Sequence, residues 1–376
     1  MSNTEMQDGR IEWIRLSRIK GVGPKTFWDL ISAFSNPAKA IDYIFRVHQR
    51  HKKQEPELPR VQEIEDELEM CLKMGVNVIL GCDESYPLLL REIPDRSPIL
   101  MAKGNMELLN NPKTIAVVGS RNAAANAIEF TKEIVKELGK AGYVVISGLA
   151  KGIDAAAHHA ALETGTIGVV AGGVDIIYPL QNTQLHHLMY EKGLVISEAP
   201  LSSPPLSKHF PKRNRIIAGI SQGVALMQAT EKSGTIITAK IAMSYGRRVF
   251  AVPGPPFDPM YSGSNQMIRR GATFITSAED IIKVLEEGGR QPCLIKENTG
   301  PKMLLYGNEA NDKLIQQYLG QVWEGICYTP ISLEKLSENV GLPMLLVNWI
   351  VIELEILGKA QRLYGNRVAR LYEGGA

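Results

Sequence analysis

Cations gathered around one aromatic ring are the chain's clearest chemical feature. Lys208, Lys212, Arg213 and Arg215 flank Phe210, Asn214 lies inside the run, and no acidic residue interrupts it. Such a set can hold a sugar-phosphate backbone by charge and stack a base on the ring. A second stretch supplies backbone. Between Val145 and Asp154 an apolar strand breaks at Ser147-Gly148 and restarts as a helix after Lys151-Gly152. Strand-to-helix turns of this kind point N–H groups at anions. Together the two stretches predict a polynucleotide groove rather than a pocket for one nucleotide.

Two further turns have the same character. A strand from Thr114 ends at Gly119, with Ser120 and Arg121 opening the next helix. A dinucleotide site would require GxGxxG here, and the second and third glycines are missing. What remains is a glycine, a hydroxyl and a guanidinium, an anion site in type. The third turn is Ser233-Gly234-Thr235, with Thr238 one turn on. In a parallel sheet all three turns fall on the carboxyl edge, where ligands bind. The bland alternative is that their glycines merely close short loops.

Asp154 and His158 are four residues apart on one helix face. They could do acid–base work, or Asp154 could cap the helix with His158 a satisfied buried group. His186-His187 reads as surface. No Ser/His/Asp set, no metal cluster and no CxxC pair is present, so neither catalytic residue, metal nor cofactor is expected.

The elements that position these residues follow from periodicity. A 376-residue chain exceeds one ordinary domain, and 44% hydrophobic with 22% charged residues describes a globular protein with sizeable cores. Net charge is only +2, so nucleic-acid affinity must come from local patches. No run of about 18 apolar residues suggests a membrane span. The polar N-terminus excludes a secretory signal, and Cys71, Cys82, Cys293 and Cys327 read as free thiols of a cytoplasmic protein.

Residues 11–34 read as helix, turn, helix around Ile19–Pro24. Residues 45–60 read as a loop, and Val61, Ile64, Leu68 and Cys71 recur at helical spacing. From 76 onward strands at 76–80, 114–118, 143–147, 166–171, 194–197, 223–227, 248–252 and 273–275 alternate with amphipathic helices, which predicts an α/β, doubly wound, mostly parallel sheet. Residues 287–302, with Gly288, Gly289, Pro292, Gly300 and Pro301, read as a linker. Beyond it, helices near 311–320, 332–340 and 343–357 precede strands 360–364 and 367–372 about Gly365-Asn366, a winged-helix pattern. The expected domains are a helical module at 1–74, the α/β domain at 75–290 and the winged helix at 303–376.

Gly119-Ser-Arg121, Ser147 to Asp154 with Ala157-His158, Tyr178-Pro179, Ser197-Glu198, Phe210 to Ile217, Ser233-Gly234 with Thr238-Ala239, and Val252-Pro-Gly254 stand in the order of one family. The chain resembles the DNA-processing protein A (DprA/Smf) family over nearly its whole length. The resemblance implies an extended Rossmann-like core that binds single-stranded DNA, a homodimer, and loading of the RecA recombinase in natural transformation, with no catalytic activity. It places the DNA pocket on Arg121, Gly148, Phe210 and the surrounding cations, with Lys208 and Arg213 on phosphates. Two positions depart from the family pattern. Gln228 replaces an acidic residue, and Lys151 stands where arginine is common, giving a point charge without bidentate geometry.

The Ile19–Pro24 turn resembles a helix-hairpin-helix, whose amides and Lys25 could meet a phosphate, or which could serve protein contacts instead. In the winged helix, Glu353 and Glu355 on the presumed recognition helix would repel phosphate, while Arg362, Arg367 and Arg370 make the wing basic. A structural or protein-contact role is therefore expected there. The alternative class is an enzyme, a nucleotide phosphoribohydrolase of the LOG or lysine-decarboxylase-like type. Its PGGxGTxxE motif would need a glutamate where Thr238 stands, and Gln228 is also uncharged. A third reading is a scaffold whose basic cluster is only a solvated face.

Overall fold

The computed structural model of the chain describes residues 3–288, 309–363 and 365–371. The chain packs as two compact units, one made of Met1–Glu67 with Glu297–Ala376 and the other of Leu68–Lys296. In chain order the elements begin with four helices, α1 (Asn3–Arg18), α2 (Pro24–Phe34), α3 (Pro37–Arg50) and α4 (Val61–Lys73). The loop expected at 45–60 starts six residues too early, because α3 runs to Arg50. Asn36 caps α3 by accepting from the amides of Ala38 and Lys39, and Ala40, Ile41, Ile44 and Val47 form its buried stripe.

The second unit opens with β1 (Asn77–Leu80), the short α5 (Leu88–Arg91) and β2 (Ile99–Gly104). Then come β3 (Thr114–Val118), α6 (Ala125–Lys140), β4 (Val144–Ser147), α7 (Ile153–Ala161), β5 (Thr166–Val169), α8 (Thr183–Glu191) and β6 (Leu194–Ser197). It closes with α9 (His209–Gly219), β7 (Gly223–Leu226), α10 (Gly234–Ser244), β8 (Arg248–Ala251), α11 (Ser262–Arg269), β9 (Thr273–Phe274) and α12 (Ala278–Glu286). The nine strands form one sheet in the order β1-β2-β6-β5-β4-β3-β7-β8-β9. All neighbours from β6 to β9 run parallel, while β1 and β2 join antiparallel. The core is thus a parallel-rich α/β sheet with an added antiparallel corner. Strand β2 was not expected from the sequence.

Burial explains why the strands lack alternating polarity. Ile115, Val117, Val145, Ala225 and Phe250 form one core with α6, α7 and α12. The intervening Ala116, Val118, Val144, Ile146, Val224 and Leu226 are equally buried, so both faces of the sheet are covered.

The C-terminal part of the first unit contains α13 (Glu309–Gly325), β10 (Ile331–Ser332), α14 (Leu333–Val340), α15 (Met344–Ile356), β11 (Ala360–Leu363) and β12 (Arg367–Arg370). Its three strands order as β10-β12-β11, and Asn366, with φ of 55°, turns the hairpin. Arg370 lies 4.2 Å over the Trp323 ring.

Glu353 and Glu355 do not face solvent, contrary to the expectation that they would repel phosphate. Both are buried against the N-terminal helices. Glu353 accepts from Tyr43 Oη at 2.9 Å and Arg50 Nη2 at 2.5 Å. Glu355 accepts from Thr26 Oγ1 at 2.7 Å and pairs with Arg362 Nε at 3.2 Å. Arg362 is no wing cation either, since its Nη1 donates to Asp29 at 2.6 Å from a buried position. The Ile19–Pro24 turn is also engaged: a Cβ on Gly21 would lie 2.6 Å from the Glu355 carbonyl. Helix α15 is therefore buried on every side from Trp349 to Ile356, while Leu345 in its first turn is exposed.

Residues 289–308, including Cys293 and most of the expected linker, lie outside the described residues. Cys71 is buried, whereas Cys82 and Cys327 are exposed. Among the described residues no single helix is long and apolar enough to cross a membrane.

Candidate nucleic-acid interface

The three glycine turns meet at the carboxyl edge of the parallel strands. Ser120, after β3, accepts from the Ile153 amide that begins α7, at 3.2 Å. Thr235 Oγ1 at the start of α10 donates to the Gly119 carbonyl at 3.1 Å. Helix α9 closes the group: Arg213 Nη1 donates to the Gly148 and Val169 carbonyls, and Asn214 Nδ2 lies 3.5 Å from the Gly234 carbonyl. Four segments separated by as many as 115 positions between Gly119 and Gly234 thus share one site.

Two close approaches account for the glycines. A Cβ on Gly148 would collide with the Arg213 guanidinium. Gly152 has φ of +72°, and a Cβ there would run into the carbonyls of Ser120 and Arg121.

Many amides of these turns have partners within the protein. Asp154 Oδ2 accepts from Gly148 N at 3.1 Å and Ala150 N at 3.4 Å. The Leu149 amide lies 3.4 Å from His158 Nε2, whose ring is held through Nδ1 by Thr166 Oγ1 at 2.7 Å. The second turn therefore carries its own carboxylate where an external anion was expected. In the first turn Ser120 N donates to the Gln228 carbonyl at 2.8 Å and Ala124 N to Gln228 Oε1 at 3.0 Å. Helix α6 itself starts at Ala125, so Arg121 lies in the turn before it rather than on the helix.

Burial sorts the cations into two classes. Arg121, Lys151, Lys208 and Lys212 are exposed, whereas Arg213 and Arg215 are buried. Arg215 pairs with Glu198 and donates to the Asp95 carbonyl, which ties α9 to the loop before β2. Burial lowers the Arg213 pKa to about 10, with Asp154 opposing the shift, so the guanidinium stays charged at neutral pH. Burial pushes Asp154 up although Arg213 pulls it down. Burial also depresses His158 to about 3, which keeps it neutral. These two groups are structural: the capping role expected of Asp154 is replaced by amide contacts, because Gly152 occupies the N-cap of α7.

Phe210 is half-buried at the centre. The Arg121 guanidinium carbon lies 5.4 Å from its ring centroid and that of Arg213 lies 5.8 Å away.

Two family models match the chain. One described as DNA recombination-mediator protein A covers residues 77–286, and one described as a DprA-like N-terminal HHH domain covers 7–69. The chain belongs to the DprA/Smf family. DNA processing protein DprA of Bacillus subtilis is 44% identical over 234 residues, 62% of this chain and 77% of that protein. Protein Smf of Escherichia coli is 33% identical over 287 residues, covering 75% and 74%. The structure is similar to that of DprA from Streptococcus pneumoniae, with a TM-score of 0.57, 36% identity and coverage of 69% and 86%. It is also similar to DprA from Helicobacter pylori, a protein described for its single-stranded DNA binding mode, with a TM-score of 0.52, 27% identity and coverage of 56% and 96%.

Within this DprA/Smf core, three residues matter that sequence reasoning did not assign to the site. Gln228 is fully buried and holds the first turn through two amides, so the departure from an acidic residue retains an acceptor there. Asn182 Nδ2 donates to the carbonyls of Leu149 and Ala150 at 2.9 and 3.1 Å, bracing the second turn. Tyr178 places its ring centroid 5.8 Å from that of Phe210. The Tyr178-Pro179 pair was visible in the sequence, but nothing local tied it to Phe210. His186, read as surface, is buried, with Nε2 3.2 Å from the Tyr178 carbonyl, while His187 is exposed. Among the described residues no group of three His, Cys, Asp or Glu could hold a metal ion.

Proposed function

We propose that this chain binds single-stranded DNA without sequence preference, as a homodimer, and loads the RecA recombinase onto it in natural transformation. The observation that carries the binding is the exposed set Arg121, Lys151, Lys208 and Lys212 around half-buried Phe210. Exposed cations can take phosphates while the ring meets a base. Gly119, Ser120, Ser147, Gly148, Gly152, Ser233 and Gly234 shape the floor, with Asn214 and Arg213 bracing it from α9. Arg215, bound to Glu198, holds the helix. The single-strand binding described for the H. pylori relative supports the same use here.

The chain acts without catalysis or cofactor, in the cytoplasm. Asp154 is buried against Arg213 and two amides, so it offers no carboxylate to a substrate. Thr238 is also buried, which removes the phosphoribohydrolase's glutamate position from any open site. Residues 75–290 carry the binding, with 1–74 and 303–376 as flanking domains.

The test is titration of single-stranded and duplex oligonucleotides at two salt concentrations, with the 75–290 fragment alongside. Preference for the single strand, steep salt dependence and retention in the fragment are expected. Equal duplex affinity would overturn the reading. RecA filament assembly with and without the protein tests the loading step, and light scattering tests the dimer.

A further inference from the structure

Resting on the single-strand reading, we infer that Tyr178 is a second base-stacking ring and that the site bends the strand between two bases. Tyr178 lies in the segment between β5 and α8 and is 46% exposed as a residue, more open than half-buried Phe210. The backbone beneath it is fixed, because the Tyr178 carbonyl faces buried His186 at 3.2 Å. Nothing about the fold requires an aromatic ring at so open a position. Transferring ring surface out of water would favour burying it, and a solvated aromatic beside exposed cations is the composition of a stacking platform.

The geometry sets what the two rings can do. Their centroids are 5.8 Å apart and their planes are inclined by 57°. Phe210 already has two guanidinium carbons within 6 Å of its centroid, those of Arg121 at 5.4 Å and Arg213 at 5.8 Å. Tyr178 adds ring surface beyond that cationic cluster. Bases stacked on both rings lie on inclined planes, so they cannot remain stacked on each other. The ligand is therefore a polynucleotide free to unstack between neighbouring bases, which a single strand does at low cost and a paired duplex does not. Preference for single strands then follows from ring inclination as well as from charge.

The experiment compares the full chain with Tyr178→Ala, Tyr178→Leu and Tyr178→Phe in titrations of an oligothymidylate across a salt series. Circular dichroism melting checks that each variant folds; truncation beyond Cβ leaves the carbonyl that meets His186 in place. Tyr178→Ala and Tyr178→Leu should weaken binding by about 5- to 100-fold with an unchanged salt slope, and Tyr178→Phe should bind as the parent does. A parent-like Tyr178→Ala overturns the stacking role and leaves the single-strand reading standing. Tyr178→Phe falling as far as Tyr178→Ala also overturns it, since the hydroxyl would be the contact. A flattened salt slope does the same, because the residue would then act through phosphate. If the parent itself does not prefer single strands, the functional reading fails and the stacking role fails with it.

Discussion

Arg213 and Gly148 are joined by a 2.6 Å hydrogen bond from the guanidinium Nη1 to the carbonyl oxygen, and the guanidinium fills the space a side chain at 148 would need. The cation is thereby fixed below the turn, facing Asp154 and the underside of the Phe210 ring environment. It organises the site, while Arg121, Lys208 and Lys212 remain exposed above.

Replacing Arg213 therefore acts first on stability. Arg213→Ala leaves the Gly148 and Val169 carbonyls without their donor and Asp154 buried without its cation. A loss of about 3 kcal/mol in urea unfolding is expected, the scale of a broken buried pair. Binding should weaken, yet the salt slope should change less than in Arg121→Ala. Equal slope changes in the two variants would return Arg213 to the phosphate contacts.

Arg121 and Phe210 separate charge from stacking. Arg121→Ala should flatten the dependence of binding on salt by about 0.7 log units per log unit, the single-strand value for one phosphate contact. Phe210→Ala should cost roughly 1–3 kcal/mol at every salt concentration. Normal binding by Phe210→Ala would make the ring a packing residue only.

The buried histidine predicts a pH dependence with a definite sign. His158 is held near 3 in the folded protein, against about 6.5 when unfolded. Below about pH 6.5 the unfolded chain takes up a proton that folded His158 refuses. Its contribution to stability is thus complete above that pH and falls as pH drops toward 3, by up to about 1.4 kcal/mol per unit. His186, also lowered by burial, works in the same direction. Urea melts followed by circular dichroism at pH 7 and 5 should show a steeper loss for the parent than for His158→Gln. Identical slopes would mean the ring is protonated when folded.

All four tryptophans, Trp13, Trp28, Trp323 and Trp349, belong to the unit formed by the chain's two ends. Tryptophan fluorescence therefore reports that unit alone. Arg362→Ala removes the cation shared by Asp29 and Glu355, leaving Asp29 with Lys25 and buried Glu355 with only the Thr26 hydroxyl among side-chain partners, which should lower its stability by about 3 kcal/mol. Single-strand affinity, measured where the unit remains folded, should stay at the parent value. A matching drop in affinity would show that this unit supplies DNA contacts.

The sequence by itself determined the alternation of strands and helices, the three glycine turns and the carboxyl edge they share. Each depends on local period or on backbone freedom at one residue, as with Gly152. Strand β2 escaped because its apolar run is short, and the end of α3 because Arg46, His48, Gln49 and Arg50 read as polar although Val47 continues the buried stripe. The family was legible from ordered motifs scattered along the core. Only tertiary structure decided what those motifs face. Lys212 and Arg213 are adjacent and alike in charge, yet one is exposed and the other buried beneath Gly148. Asp154 fills the second turn, and Glu353 and Glu355 lie against Tyr43, Arg50 and Thr26 rather than solvent. A residue's type states which partners could stabilise its charge. Which partner it meets depends on chain segments hundreds of positions away, and burial then sets whether that charge serves a ligand or the fold.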